Sequence, residues 1–105
     1  MEEMIEARLW VNGKPVDLNP FVEGILAGTV AGALSSLKGV ESIKSVDLQI
    51  RQRTVTVTVN GGELTLTPFP NDIIAGTVTG FVSPLKGIGK VESLRIKLRT
   101  YQGTP

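Results

Sequence analysis

Four stretches of the chain alternate apolar and polar residues, which is the pattern of a β-strand with one buried face. They span residues 4–11, 43–51, 54–59 and 91–99. The alternation is strictest in 54–59, where valine follows threonine three times. The pattern predicts strands of a sheet that has one apolar face and one polar face.

An Asn-Gly dipeptide follows the first and the third of these stretches. The two dipeptides are Asn12-Gly13 and Asn60-Gly61. Asn-Gly tolerates the left-handed backbone of a two-residue hairpin turn better than other pairs do. Each dipeptide therefore predicts a hairpin, with short return strands at 15–18 and 63–67.

A helix is predicted after each hairpin, because a residue that can cap a helix stands directly before a proline. The two pairs are Asn19-Pro20 and Thr67-Pro68. Pro84 lacks a backbone donor and disfavours a helical conformation in the residue before it. We therefore expect the second helix to end near Val82 and the first helix to end at the corresponding place, near Ser35.

The two halves of the chain resemble each other. Residues 11–51 and 59–99 align without a gap and are identical at 18 of 41 positions, which indicates an internal duplication. We expect one domain, 1–105, made of two β-β-α-β repeats at about 4–51 and 54–99. The predicted fold class is α+β, with six mostly antiparallel strands and two helices packed on one face. The element order also resembles that of double-psi and other cradle-loop barrels, so a duplicated barrel is the alternative.

The two helices carry no charge along most of their length, over residues 24–37 and 73–85. Their bulky apolar residues share one side, which we expect to meet the sheet. The opposite side carries small residues, among them Gly24, Gly28, Gly32, Gly76 and Gly80. A glycine inside a helix lowers stability by roughly 1 kcal/mol relative to alanine. We therefore expect some contact to offset the cost of these five glycines.

A stripe of small residues allows two helix backbones to approach closely. The stripes can meet within one chain or between two chains, and we favour a homodimer. A membrane span is disfavoured, because the uncharged runs fall short of the roughly 20 residues that a span needs. A loosely packed, partly exposed helix is the remaining alternative.

The polar face of the sheet is predicted to be basic. Strand parity and the turn at Arg53 place there Arg8, Trp10, Arg51, Arg53, Arg95, Lys97 and Arg99, against the acidic residues Glu6 and Asp47. Such a face could hold a single-stranded nucleic acid or another polyanion, with cations on phosphates and a ring on a base. An ordinary solvated face is the favoured interpretation, because one tryptophan is not a stacking platform.

The composition narrows the functional classes. The 105 residues carry a net charge of +1 and include no cysteine and no histidine, which removes disulfides, thiol chemistry and the usual proton shuttle. No paired-carboxylate site emerges, so we expect no cofactor, no metal and no catalysis. The acidic start MEEMIEARLW shows no signal pattern, and we expect a cytoplasmic location. The predicted function is a small oligomeric binding or scaffold domain, with polyanion binding as the alternative.

Overall fold

The computed structural model of the protein describes residues 3–37, 40, 42–85 and 87–102. It contains six strands and two helices, in the order β-β-α-β followed by β-β-α-β. Their bounds are β1 Glu3–Val11, β2 Lys14–Val16, α1 Pro20–Ser35, β3 Ser45–Arg51, β4 Thr54–Val59, β5 Gly62–Leu64, α2 Pro68–Val82 and β6 Ser93–Gln102.

The six strands form one sheet in the order β2-β1-β6-β3-β4-β5, and every neighbouring pair is antiparallel. The predicted α+β class with antiparallel strands is confirmed. The sheet is open, with β2 and β5 at its edges, so it is not the closed barrel of the alternative.

Three two-residue turns connect strands that are adjacent in the sheet. In the two Asn-Gly turns both residues have positive φ, at 52° and 81° for Asn12 and Gly13 and at 53° and 84° for Asn60 and Gly61. These are the expected hairpins, although the return strands are shorter than predicted and end at Val16 and Leu64. The third turn, Gln52-Arg53, has the same left-handed backbone without a glycine.

The helices begin and end where the prolines predict. α1 starts at Pro20, and the side-chain oxygen of Asn19 accepts a hydrogen bond from the Val22 amide at 2.8 Å. α2 starts at Pro68, but the side chain of Thr67 makes no capping hydrogen bond. The predicted ends near Ser35 and Val82 are both confirmed.

One polar side chain in the first turn of each helix continues the hydrogen bonding of a strand. The Ala7 amide of β1 donates to Oε2 of Glu23 at 2.9 Å, and the Val55 amide of β4 donates to Oδ1 of Asn71 at 2.8 Å. The return strands β2 and β5 end before these positions, so the helix side chains satisfy donors that the short strands leave open.

The core lies between the apolar face of the sheet and the inner sides of the helices. The sheet contributes fully buried residues from its central strands, such as Leu9, Leu48, Val57 and Ile96. α1 contributes Leu26, Ala27, Val30 and Leu34, and α2 contributes Ile74, Ala75, Val78 and Val82. Both helices therefore cover one face of the sheet, as predicted, and the polar face remains open to solvent.

Candidate functional site

The outer side of the helical layer is apolar and exposed. In the described part of the chain the exposed large apolar side chains are Phe21, Phe69, Ile25 and Ile73, which are 75, 73, 41 and 48% exposed. In each helix the Phe is followed by the Ile four residues later, by a glycine three residues after that, and by a second glycine four residues further on. These spacings place all four residues on the same side of the helix. We call this surface the helix outer face; it comprises Phe21, Ile25, Gly28 and Gly32 of α1 and Phe69, Ile73, Gly76 and Gly80 of α2.

The predicted glycine stripes lie on this exposed side. Gly24, Gly28, Gly32, Gly76 and Gly80 are all exposed. A methyl group added at any of them would meet no atom of the described residues within 4 Å beyond its own helix and chain neighbours. The stripes therefore do not meet each other within one chain, and that alternative is wrong. Contact with a second chain stays a prediction.

One charged side chain near the helix outer face turns away from it. Glu23, the acidic residue in the first turn of α1, is bound to the β1 backbone at Ala7. Beyond it, residues 24–37 carry no charge, and neither do residues 73–85 of the second half. The face is consequently uncharged over most of both helices.

The polar face of the sheet brings part of the predicted basic set together in cross-strand rows. Arg8 of β1 faces Lys97 of β6, and Lys97 faces Asp47 of β3. In the next row Trp10 faces Arg95. An open hollow of about 590 Å³ lies over these rows, with Glu6, Arg8, Trp10, Asp47, Lys97 and Arg99 among its lining residues.

Ion pairs occupy part of the basic set. Arg95 binds Asp47 through two bonds, Nη2 to Oδ2 at 2.6 Å and Nε to Oδ1 at 3.0 Å. Hydrogen bonding to Arg95, assisted by the charges of Arg95 and Lys97, lowers the pKa of Asp47 against the opposing effect of burial. The same pairing raises the pKa of Arg95. Since both partners are held in their charged forms, Arg95 is not a free anion ligand.

Two more cations of the face also have partners. Nε of Arg8 lies 3.3 Å from Oε1 of Glu6, and Arg99 has an interaction of its own. Arg51, Arg53 and Lys97 are exposed. Glu6 and Asp47 thus each pair with a basic residue of this face, and its interpretation as an ordinary solvated surface stays a prediction.

The residues that the structure describes contain no group of three or more histidine, cysteine, aspartate or glutamate residues that could hold a metal ion. Neither described helix is both long enough and apolar enough to cross a membrane.

Comparisons of the chain with protein-family models, with curated proteins and with solved structures return no match.

Sequence reasoning placed the glycines on the outer side of the helices but missed the large apolar residues beside them. Phe21 and Ile25 of α1, and Phe69 and Ile73 of α2, recur at the same positions of the two halves. The helical spacing between these residues and the glycines was a usable signal, because it places the large apolar residues and the glycines on the same side of the helix. Both kinds of residue now define the same exposed surface.

Proposed function

We propose that this chain is a non-catalytic scaffold module, built by internal duplication, that forms a homodimer through the helix outer face. The observation that carries the proposal is the exposure of Phe21, Ile25, Phe69 and Ile73 on one surface. Large apolar side chains that face water on one side of a helix commonly mark an interaction site. Each of the two helices carries one exposed Phe and one exposed Ile.

The shape of the helix outer face favours a second copy as its occupant. On the helix outer face, the Phe and Ile of each helix lie near its amino end, and the glycines that belong to this face lie toward its carboxyl end. When two such helices stack antiparallel, the bulky end of one lies over the bare end of the other. A two-fold interface brings the same patch of both subunits together, so this complementarity is satisfied twice.

Charge is consistent with the same occupant. Residues 24–37 and 73–85 carry no charge, so this length of both helices can be buried against a second copy without burying an unpaired charge.

The test is the mass of the protein in solution, measured by light scattering. We expect the wild-type protein at twice the 11.2 kDa chain mass. The double variant Phe21→Glu with Phe69→Glu should be a monomer with an unchanged circular dichroism spectrum, because two charges would otherwise be buried in the interface. A monomeric wild type would refute the proposal.

The matched control places the same two charges on the opposite face of the molecule. Thr54 and Thr56 are exposed residues of β4 on the polar face of the sheet. The double variant Thr54→Glu with Thr56→Glu should keep the wild-type mass. If both double variants dissociate, added negative charge rather than the helix outer face is responsible.

Polyanion binding by the polar face of the sheet is the weaker candidate function. It is supported by the hollow that brings Trp10 close to Arg8 and Lys97. The ion pairs of Arg8 and Arg95 weigh against it. Binding of a labelled single-stranded oligonucleotide at low salt, lost steeply as salt rises, would favour it over a purely structural face.

A further inference from the structure

The two halves of the chain are interleaved rather than side by side. Three of the five strand pairings join a strand of the first half, 3–51, to a strand of the second half, 54–102. They are β1 with β6, β3 with β6, and β3 with β4. Only the two short hairpins pair strands of one half.

Neither half forms a sheet by itself. β3 belongs to the first half and lies between β6 and β4 of the second half, whereas β6 lies between β1 and β3 of the first half. A half on its own thus has a hairpin, a helix and one strand without a strand neighbour. The last strand of each half therefore gains its strand neighbours only from the other half.

Side-chain hydrogen bonds join the halves in the same reciprocal way. Oδ1 of Asn12, in the first half, accepts from the amides of Glu92 and Ser93 at 2.8 and 3.0 Å. Oδ1 of Asn60, in the second half, accepts from the amides of Lys44 and Ser45 at 2.7 and 3.0 Å. Each hairpin turn therefore holds the segment that leads into the last strand of the opposite half.

The chain passes from one half to the other through a single turn, Gln52-Arg53. Both residues have positive φ, 49° and 64°. Residues other than glycine and asparagine adopt this conformation at a cost, because the Cβ atom approaches the following carbonyl oxygen. Extending the turn removes that cost. It separates the two halves of one chain, but a second copy can restore every contact between elements of different halves.

We propose that, when the protein folds at high concentration, two copies of this chain exchange halves about the Gln52-Arg53 turn, so that the first half of each copy folds with the second half of the other. β3 and β4 of one chain then continue as one extended segment between two folded units. Every pairing between halves is kept, now between chains. This exchange does not involve the helix outer face and does not depend on the function proposed above.

Cysteine pairs placed across the two halves test the exchange, because the chain has no cysteine of its own. Arg8 and Lys97 are directly opposite in the β1–β6 register and belong to different halves. Opposite residues of antiparallel strands have Cα atoms about 4.5–5.5 Å apart, within the range that a disulfide spans. Arg8→Cys and Lys97→Cys are made as two separate chains, each also carrying Phe21→Glu and Phe69→Glu to exclude dimers through the helices.

The two chains are unfolded together, refolded at high protein concentration and oxidised. In an exchanged dimer of the two variants, the cysteine at position 8 of one chain faces the cysteine at position 97 of the other. We expect a disulfide-linked dimer with a native circular dichroism spectrum. A yield no higher than that of the control pair below would overturn the proposal.

The control pair lies within one half. Thr58 and Glu63 face each other in the β4–β5 hairpin, so exchange never brings them together from different chains. Thr58→Cys and Glu63→Cys, mixed in the same way, should give little covalent dimer. If Arg8→Cys or Lys97→Cys fails to fold, Ser45→Cys with Arg99→Cys tests the β3–β6 pairing instead.

The turn itself supplies the second readout. The double variant Gln52→Asn with Arg53→Gly gives this turn the residues that a closed hairpin prefers. In this background the yield of Arg8–Lys97 disulfide dimer should fall by about tenfold, in line with the cost of left-handed residues. An unchanged yield would mean that the chains associate without opening the turn, and would overturn the proposed route.

Discussion

At the scale of single residues, the exposed glycines are not explained by packing within the folded chain, but contact with a second chain would explain them. Among the residues that the structure describes, none beyond the local helix lies within 4 Å of a Cβ added at Gly28 or Gly76. Packing within one molecule therefore gives no reason for glycine at these positions. A reason remains if another backbone approaches the helix outer face, because only small residues permit that approach.

Substitutions at these glycines should accordingly have opposite effects on folding and on assembly. Gly28→Ala and Gly76→Ala, each in the Phe21→Glu with Phe69→Glu background, should raise the free energy of unfolding in urea by about 1 kcal/mol. Gly28→Leu alone, in the wild-type background, should leave the fold intact and shift the mass by light scattering toward the monomer. Retention of the dimer by Gly28→Leu would contradict close helix contact.

The control for the stability effect is a glycine whose backbone requires it. Gly61 has φ of 84° in a hairpin turn, a region that alanine adopts only with strain. Gly61→Ala should therefore lower the free energy of unfolding, although it adds the same methyl group. Equal effects at Gly28 and Gly61 would show that the helix positions also carry backbone strain.

At the scale of elements, the sequence predicted what local chemistry controls. The starts of both helices follow from the prolines, and the two hairpins follow from Asn12-Gly13 and Asn60-Gly61. The interleaved strand order was not predicted, since it depends on which distant strands pair. The turn at Gln52-Arg53 was not recognised as a hairpin of the same kind, because neither residue favours a left-handed backbone.

The candidate surfaces show the same division. Strand parity placed Arg95 and Asp47 on one face but did not reveal that they bind each other, because the contact depends on the register of β3 and β6. Helical periodicity placed Gly28 and Gly76 on one side of each helix. It did not reveal their exposure, because burial depends on how close the helices lie to each other.

A difference between the two helix starts gives a prediction at the element scale. Asn19 caps α1 through the Val22 amide, whereas Thr67 makes no such bond at the start of α2. Thr67→Asn should add a cap and raise the free energy of unfolding by about 0.5–1 kcal/mol, measured by urea denaturation. The reciprocal variant Asn19→Thr should lower it. If both variants leave the free energy of unfolding unchanged, the capping side chains do not contribute to the stability of either helix.

At the scale of the whole molecule, an ion pair at the centre of the sheet joins the two halves of the chain. Asp47 lies on β3 of the first half and Arg95 on β6 of the second, 48 positions later. These are equivalent positions of the two repeats, so the halves differ there by opposite charges. Two identical halves would instead place like residues at these positions.

This pair predicts a pH dependence of stability. The Asp47 pKa is lowered in the folded protein, mainly by hydrogen bonding to Arg95, and lies below the value of about 3.9 that is usual in an unfolded chain. The stabilisation is therefore complete above the unfolded pKa and is lost as pH falls through the folded pKa. The difference in free energy of unfolding between wild type and Asp47→Asn should shrink over that window as acid is added.

A double-mutant cycle assigns this dependence to the pair. In an Arg95→Gln background Asp47 loses the partner that holds it ionised, so Asp47→Asn should no longer change how stability depends on pH. Urea denaturation of the four proteins from neutral to strongly acidic pH measures the effect. If the acid-dependent difference survives without Arg95, the charge of Lys97 or the backbone accounts for the Asp47 pKa. The hydrogen bonds from Arg95 to Asp47 would then contribute nothing measurable to the acid dependence of stability.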